Sequence, residues 1–133
     1  MPARFRYSRR VQFHETDLAG IVHFSWYFRY MEEAEHALWR SVGMSIVPET
    51  EDVGFPRVAV SCDFKAPLAF EEEFEVDIRV EAIGRRSIRY SCTIVKGEQV
   101  MATGSMTSAC VTRDADHVVR STAIPDDIVR RLQ

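Results

Sequence analysis

The sequence predicts an α+β fold in which one antiparallel sheet of about five strands curls around one long helix, with a short helix at the C-terminus. One segment has the hydrophobic period of a helix, and several others have the period of strands. The strands follow one another through short turns, which exclude parallel pairing because a parallel crossover needs roughly a dozen residues. The 133 residues suffice for one domain, 1–133, with a core of its own.

The first predicted elements are a strand and a tight turn. Residues Arg4–Phe13 roughly alternate polar and apolar side chains, which is typical of a strand. The segment that follows, His14–Gly20, contains turn-forming residues such as Asp17 and Gly20. The chain is therefore expected to reverse direction immediately before the long helix.

The long helix is predicted from about Phe24 to Val42, and Gly43 is suited to end it in a left-handed conformation. Its wide apolar face implies burial against something broad, such as a sheet. That face comprises Tyr27, Met31, Ala34, Leu38 and Val42, with Phe24, Phe28 and Trp39 in a flanking row. A solvated face is the usual meaning of the acidic run Glu32, Glu33 and Glu35.

The second half of the chain is predicted to be a series of strands. They are Pro56–Phe64, Glu73–Ile83, Ser87–Lys96 and Val100–Arg113, and a short amphipathic helix follows Pro125. The last strand is long and regular. We expect it to present an open edge that pairs with a second copy of the chain, giving an obligate dimer.

Composition and charge exclude several classes of protein. Lys plus Arg total 17 against 20 Asp plus Glu, a net charge of −3, which does not suit a general nucleic-acid binder. The sequence contains neither an apolar run of about 18 residues nor an apolar signal core near its start, so we expect no membrane span and a cytoplasmic location. Cys62, Cys92 and Cys110 are odd in number and lack metal-ligand spacing, so they are predicted to be free thiols.

The most informative residue for chemistry is Asp17, which lies in a weakly polar segment just before the predicted helix. The free N–H groups of a helix start carry partial positive charge and can polarise a carbonyl. A carboxylate beside such a carbonyl could attack it or activate a water toward it. The alternative is that Asp17 only caps the turn. No serine-hydrolase elbow, phosphate loop or dinucleotide motif is present in the sequence.

Two adjacent arginines form a second candidate site. Arg85 and Arg86 follow a turn glycine, an arrangement that could clamp a phosphate. They could equally be surface arginines that neutralise the acidic strand before them.

The stretch Val11–Ala34 resembles the hotdog-fold acyl-CoA thioesterases, and most closely the 4-hydroxybenzoyl-CoA thioesterase family. Its sequence is V-Q-F-H-E-T-D-L-A-G-I-V-H-F-S-W-Y-F-R-Y-M-E-E-A. The matching positions are Thr16, Asp17, Gly20, Val22, Tyr27 and Glu33, and Gly84–Ser87 resembles the family's basic turn. The resemblance extends over nearly the whole chain, from about residue 5 to residue 127.

The resemblance implies a hotdog fold and hydrolysis of a small aromatic or short-chain acyl-CoA without a cofactor or metal. Asp17 corresponds to the catalytic carboxylate, acting as nucleophile or general base, and the backbone N–H groups around His23 and Phe24 correspond to the oxyanion site. Arg85, Arg86, Tyr27 and Lys65 are assigned to substrate and CoA binding. The implied partners are acyl-CoA and further copies of the chain, as a homodimer and then a homotetramer. At position 23, where other members can carry an aromatic residue, the histidine departs from the family pattern.

Two other functions are possible on the same fold. A hydroxyacyl-thioester dehydratase would use a histidine with an acidic partner, but the Pro-Gly element that usually follows that histidine is missing at Ser25–Tyr27. A non-catalytic acyl-CoA-binding module is the other possibility, because fold does not determine function.

Overall fold

The computed structural model describes residues 2–133 and confirms the predicted class. The strands are Arg4–Arg10 (β1), Arg57–Phe64 (β2), Glu73–Ile83 (β3), Ser87–Lys96 (β4), Gln99–Ala109 (β5), Val111–Arg113 (β6) and Val119–Ser121 (β7). The helices are Ser25–Ser41 (α1) and Asp126–Leu132 (α2). Strands β1 to β5 form one antiparallel sheet in the order β1-β3-β4-β5-β2, and β6 pairs with β7.

Helix α1 buries the predicted apolar face against the sheet. Tyr27, Met31, Ala34 and Leu38 are at most 3% exposed, and Trp39 from the flanking row is fully buried. The contact is close because β5 carries a glycine where the helix crosses it. A Cβ at Gly104 would lie 2.8 Å from the sulfur of Met31 and 2.7 Å from a backbone oxygen of β2. Only a residue without a side chain fits between the helix and β2 at this point.

The strand predicted at Val100–Arg113 is not an edge strand, and that expectation was wrong. Its first part is β5, which lies between β4 and β2 and is paired on both sides. Its last part turns away after Ala109 and forms β6, which pairs with the short β7 that the sequence analysis missed. Order along the chain does not give order in the sheet, because β2 crosses over to pair with the last long strand.

The open edges of the sheet are β1 and β2, and β2 is the more apolar of the two. Val58 is 60% exposed, Val60 is 46% exposed and Phe64 is 49% exposed. Edge strands with unpaired backbone groups and exposed β-branched residues are those most prone to pair with another chain. The long open edge that was expected at the last long strand is therefore found at β2.

The acidic run of α1 is not a solvated face throughout. Glu35 is 2% exposed and accepts two hydrogen bonds from Arg57 of β2, at 2.8 and 2.9 Å. Glu33 is half-buried against β1, where it accepts hydrogen bonds from Arg9 (2.9 Å) and the Tyr7 hydroxyl (2.8 Å). Glu35 is buried and Glu33 half-buried because arginines distant in the sequence pair with them.

Candidate active site

The predicted turn before α1 forms a small hairpin that presents Asp17. Thr16 pairs with Val22, and the Asp17 N–H donates to the Ile21 carbonyl at 2.9 Å. Gly20 closes the turn with a φ of +81°, a left-handed conformation that favours glycine. One oxygen of the Asp17 carboxylate accepts the Ala19 N–H at 2.8 Å. Asp17 therefore does cap the turn, but with one oxygen only, and its side chain is exposed.

The start of α1 offers one backbone donor beside this hairpin. The His23 N–H is already bonded to the Glu15 carbonyl at 2.9 Å, so it is not available to a substrate. The N–H groups of Trp26 and Tyr27 bond to the carbonyls of His23 and Phe24. The Ser25 N–H donates to Nδ1 of His23 at 3.4 Å, and within residues 2–133 no protein acceptor pairs with the Phe24 N–H. The expected oxyanion site at His23 and Phe24 is thus reduced to Phe24.

A cleft of about 560 Å³ brings these groups together, within the size range of small-molecule sites. It is lined by Asp17, Ile21, Val22, His23, Phe24, Tyr27, Phe64, Lys65, Ala66 and Pro67. Five residues predicted from the sequence, Asp17, His23, Phe24, Tyr27 and Lys65, therefore share one cleft. The Tyr27 ring, 3% exposed, packs edge-on against Phe64 with 4.9 Å between centroids, which gives the cleft an aromatic wall.

His23 lines the cleft, and its side chain is oriented by a neighbour. Its Nδ1 is 2.8 Å from the Ser25 hydroxyl, and its ring stacks on Phe24 with 4.6 Å between centroids. When the Ser25 hydroxyl donates to Nδ1, the hydrogen of the neutral imidazole lies on Nε2. His23 then presents an N–H donor rather than a base.

Beneath the hairpin lies a buried ionic cluster that the sequence analysis missed. The Glu15 side chain is fully buried, and its carboxylate accepts hydrogen bonds from Arg9 (2.5 and 3.1 Å), the Gln12 N–H (2.7 Å) and the Tyr30 hydroxyl (2.7 Å). Burial opposes its ionisation, but the hydrogen bonds outweigh burial and lower the pKa of Glu15. Burial and the bond to Glu15 both raise the pKa of Tyr30, so its hydroxyl stays a donor.

The structure does not bring the two turn arginines to this cleft. Arg85 lines a separate depression together with α2 residues, and its carbonyl accepts the Ile124 N–H at 2.9 Å. The Arg86 carbonyl accepts the Cys110 N–H at 2.7 Å. Neither pairs with the acidic side chains of β3. Arg89 of β4 pairs with Glu81 at 3.5 Å, and arginines of β1 pair with the others. Those pairs are Arg4 with Asp77 (2.8 Å), Arg6 with Glu75 (3.5 Å) and Arg10 with Glu73 (2.5 Å).

The cysteines, a metal site and a membrane span were the other features considered in the sequence. Cys62, Cys92 and Cys110 are free thiols, and burial raises the pKa of Cys62 to about 11 and that of Cys92 to about 12. Among residues 2–133 no group of three or more histidine, cysteine or acidic side chains is arranged to hold a metal ion. In that same range no helix is long and apolar enough to cross a bilayer.

A long helix packed on an antiparallel sheet is the arrangement of the hotdog fold, and in this chain Asp17 and Phe24 share a cleft at the start of that helix. Comparison of the chain with known proteins identifies its family. Residues 19–103 match the thioesterase superfamily model, and the chain belongs to that superfamily and is a thioester hydrolase. The resemblance seen in the sequence is thereby confirmed at the level of the thioesterases.

Individual relatives cover nearly the whole chain. An Aquifex aeolicus (strain VF5) protein, named provisionally as an esterase, is 35% identical over 97% of this chain and 98% of that one. A 1,4-dihydroxy-2-naphthoyl-CoA hydrolase of Synechococcus sp. (strain CC9605) is 26% identical over 95% of this chain and 87% of that one. The structure of a gentisyl-coenzyme A thioesterase superimposes with a TM-score of 0.81 at 28% identity, over 94% of this chain and 99% of that one.

Proposed function

We propose that this enzyme hydrolyses the CoA thioester of a small acyl group, aromatic or short-chain, to the free acid and CoA. The observation that carries the proposal is that Asp17 and Phe24 line one apolar cleft, and that the Phe24 N–H has no protein acceptor among residues 2–133. Two relatives named for aromatic acyl-CoA substrates support the aromatic alternative, as does the wall that Tyr27 and Phe64 form.

The chemistry needs few groups because a thiolate is a good leaving group. A thiol has a pKa of about 8.5, so the C–S bond can break with little acid assistance. The Phe24 N–H, at the positive end of α1, donates to the carbonyl oxygen and stabilises the charge that develops there, an effect worth about 3 kcal/mol for one well-placed donor.

Asp17 has two routes to the acyl carbon through the oxygen that the turn leaves free. As a nucleophile, the carboxylate forms a mixed anhydride and expels CoA thiolate, and water then hydrolyses the anhydride. As a general base, it takes a proton from a water that attacks the carbonyl directly. In both routes one water is consumed, and the acid and the CoA thiol are released. When the Ser25 hydroxyl donates to its Nδ1, His23 carries its hydrogen on Nε2 and can donate it to the thioester or to the departing sulfur.

The CoA portion is assigned to basic residues at two places. Lys65 lines the cleft entrance and is the proposed contact from the same chain. Arg85 and Arg86 lie outside this cleft, so we propose that they bind CoA phosphates from a neighbouring copy. Their exposed side chains, next to a turn, leave the guanidinium groups accessible.

The assembly that we propose is a homodimer formed through β2, with a homotetramer as the higher state. Strand β2 is an open, apolar edge. Phe64 and Lys65, at its end, line the cleft, so a copy paired to β2 lies beside the reacting groups. Pairing of two β2 strands would extend the sheet and remove the open edge.

The test is replacement of Asp17 by Asn, followed by thiol release from a panel of acyl-CoAs with a chromogenic thiol reagent. We expect kcat to fall by about 10²–10⁴-fold, because the amide neither attacks nor takes a proton. Asp52→Asn, at an exposed loop position, is the matched control and should retain full activity. Thiol release by Asp17→Asn at the wild-type rate would refute the assignment. Hydration of a crotonyl thioester without thiol release would instead favour the dehydratase.

The two routes separate in one turnover in heavy-oxygen water. With enzyme in excess, water that attacks the Asp17 carbonyl of the anhydride places the label in the Asp17 carboxylate, where mass analysis of its peptide detects it. A labelled peptide would establish the covalent route. An unlabelled peptide would exclude attack at that carbonyl and leave two routes, a general base or water attack on the acyl carbonyl of the anhydride, and only the second yields an Asp17 hydroxamate when hydroxylamine is added during turnover.

A further inference from the structure

We propose that Glu15 is a positioning residue for this reaction: its buried carboxylate fixes the hairpin that carries Asp17 to the helix start that carries the Phe24 N–H. This inference rests on the proposed function for its meaning in catalysis. Its structural part, that Glu15 secures the hairpin, can be tested independently of any substrate.

The first observation is that burial and several hydrogen bonds fix the position of the Glu15 carboxylate. The carboxylate is fully buried and accepts hydrogen bonds from three parts of the fold: Arg9 of β1, the backbone of Gln12, and Tyr30 of α1. A buried carboxylate with this many donors has one low-energy position, since any displacement leaves a charge without partners in a low-dielectric interior. Residue 15 is therefore fixed to both the sheet and the long helix.

The second observation is what the main chain of Glu15 holds. Its carbonyl accepts the His23 N–H at 2.9 Å, and two residues further on the Asp17 N–H donates to Ile21 at 2.9 Å. These bonds form one short antiparallel ladder. Asp17 lies within it, and Phe24 follows immediately after it. The bond to Glu15 also engages the His23 N–H, which leaves Phe24 as the free donor.

The consequence is that the distance between nucleophile and oxyanion donor depends on this ladder. Reaction requires the attacking oxygen about 3 Å from a carbonyl carbon whose oxygen lies at the Phe24 N–H, and a 1 Å misplacement costs about 100-fold in rate. The hairpin itself is exposed from Asp17 to Gly20. Its buried polar anchor is Glu15, and the other strand of the hairpin is held by Val22, which is 4% exposed and whose N–H donates to the Leu68 carbonyl at 2.8 Å.

Glu33 is a matched control that separates a positioning role of Glu15 from a purely stabilising one. Glu33 pairs with the same Arg9, at 2.9 Å, and also accepts from Tyr7 at 2.8 Å. No hydrogen bond of the described residues joins its side chain to the hairpin. Glu15→Gln and Glu33→Gln each remove one carboxylate from Arg9, but only the first alters the ladder's anchor.

The experiment measures kcat, KM and amide hydrogen exchange for both variants with the acyl-CoA that the wild type cleaves best. For Glu15→Gln we expect kcat to fall about 30–100-fold with KM within about threefold, and faster exchange at the Asp17 and His23 amides. For Glu33→Gln we expect kcat, KM and exchange close to the wild-type values.

The result that overturns the proposal is wild-type kcat and exchange in Glu15→Gln, or an equal loss of kcat in Glu33→Gln. If Glu15→Gln does not fold, Tyr30→Phe decides, because it removes one donor to Glu15 and keeps the aromatic ring. A several-fold loss of kcat with faster His23 exchange then supports the proposal, and unchanged values refute it. If the wild type cleaves no thioester, the proposed function fails, and the exchange data alone decide whether Glu15 secures the hairpin.

Discussion

Two acidic residues, Glu15 and Asp17, lie two positions apart and have opposite surroundings. Glu15 is buried and bonded on both oxygens, whereas Asp17 is exposed with one oxygen committed to its turn. A carboxylate surrounded by donors is stable but unreactive, and one with a free oxygen at a cleft can attack or accept a proton. The difference arises from Arg9 and Tyr30, which reach the first carboxylate and not the second.

The lowered pKa of Glu15 predicts a pH-dependent contribution to stability. The folded pKa lies below the usual 4.5, so the unfolded state binds the proton more readily. The stabilisation is complete above about pH 4.5 and is lost as the pH falls through the lower, folded pKa. We expect Glu15→Gln to lower the free energy of unfolding by about 2 kcal/mol at pH 7, and the difference from wild type to shrink toward pH 3.

Urea unfolding at several pH values measures this difference. Glu98→Gln, an exposed change in the turn between β4 and β5, controls for the altered net charge. A gap between wild type and Glu15→Gln that stays constant from pH 7 to pH 3 would contradict the prediction.

At the scale of elements, the contact between α1 and β5 depends on Gly104. A Cβ there would overlap the Ser61 carbonyl and the Met31 sulfur, and the backbone oxygen cannot move away cheaply. We expect Gly104→Ala to destabilise the protein by about 1–3 kcal/mol, as overpacked cores do.

Denaturant unfolding of Gly104→Ala and Gly54→Ala tests this contact. At Gly54 a Cβ would meet only the Val111 side chain, at an ordinary 3.9 Å, so the same chemical change should cost little. Equal midpoints for the two variants would show that α1 does not press on β5 as described.

The elements that local pattern determines were predicted, and those that depend on distant partners were not. Helix α1 and strands β3 and β4 have periods that specify their buried faces, and the structure confirms them within one or two residues. The position of Asp17 beside the helix start also follows from local sequence. The sheet order does not, and neither does the burial of Glu15 and Glu35. Glu15 needs the Tyr30 hydroxyl from α1 as well as an arginine of β1, and Glu35 needs an arginine of β2 that lies 22 residues away in the sequence.

At the scale of the whole molecule, the edge of β2 is an apolar surface that a single chain leaves exposed and without a neighbouring strand. Its exposed valines, Val58 and Val60, lie on a strand that pairs on one side only. Because the end of the same strand lines the cleft, assembly and activity should be linked.

We therefore predict that light scattering after size exclusion gives a multiple of the 15.3 kDa chain mass for the wild type. The double variant Val58→Lys, Val60→Lys should give single chains with reduced activity. Lysine blocks edge pairing because its charge would be buried at the new interface. Val100→Lys is the control, since Val100 is exposed but lies on β5, opposite Val95 of β4, and not on the open strand β2. A wild type of single-chain mass, or a double variant that stays assembled, would contradict the prediction.

The cleft has two walls of separate origin. Asp17, His23 and Phe24 come from the hairpin and the start of α1, and the second wall comes from residues 64–67, at the end of β2 and just after it. The groups proposed to break the thioester thus lie in one segment of the sequence, and part of the surface that meets the acyl chain lies in another. Natural or laboratory variation confined to residues 64–67 can change which acids the enzyme prefers while its bond-breaking apparatus stays intact, a division that favours rapid divergence of specificity.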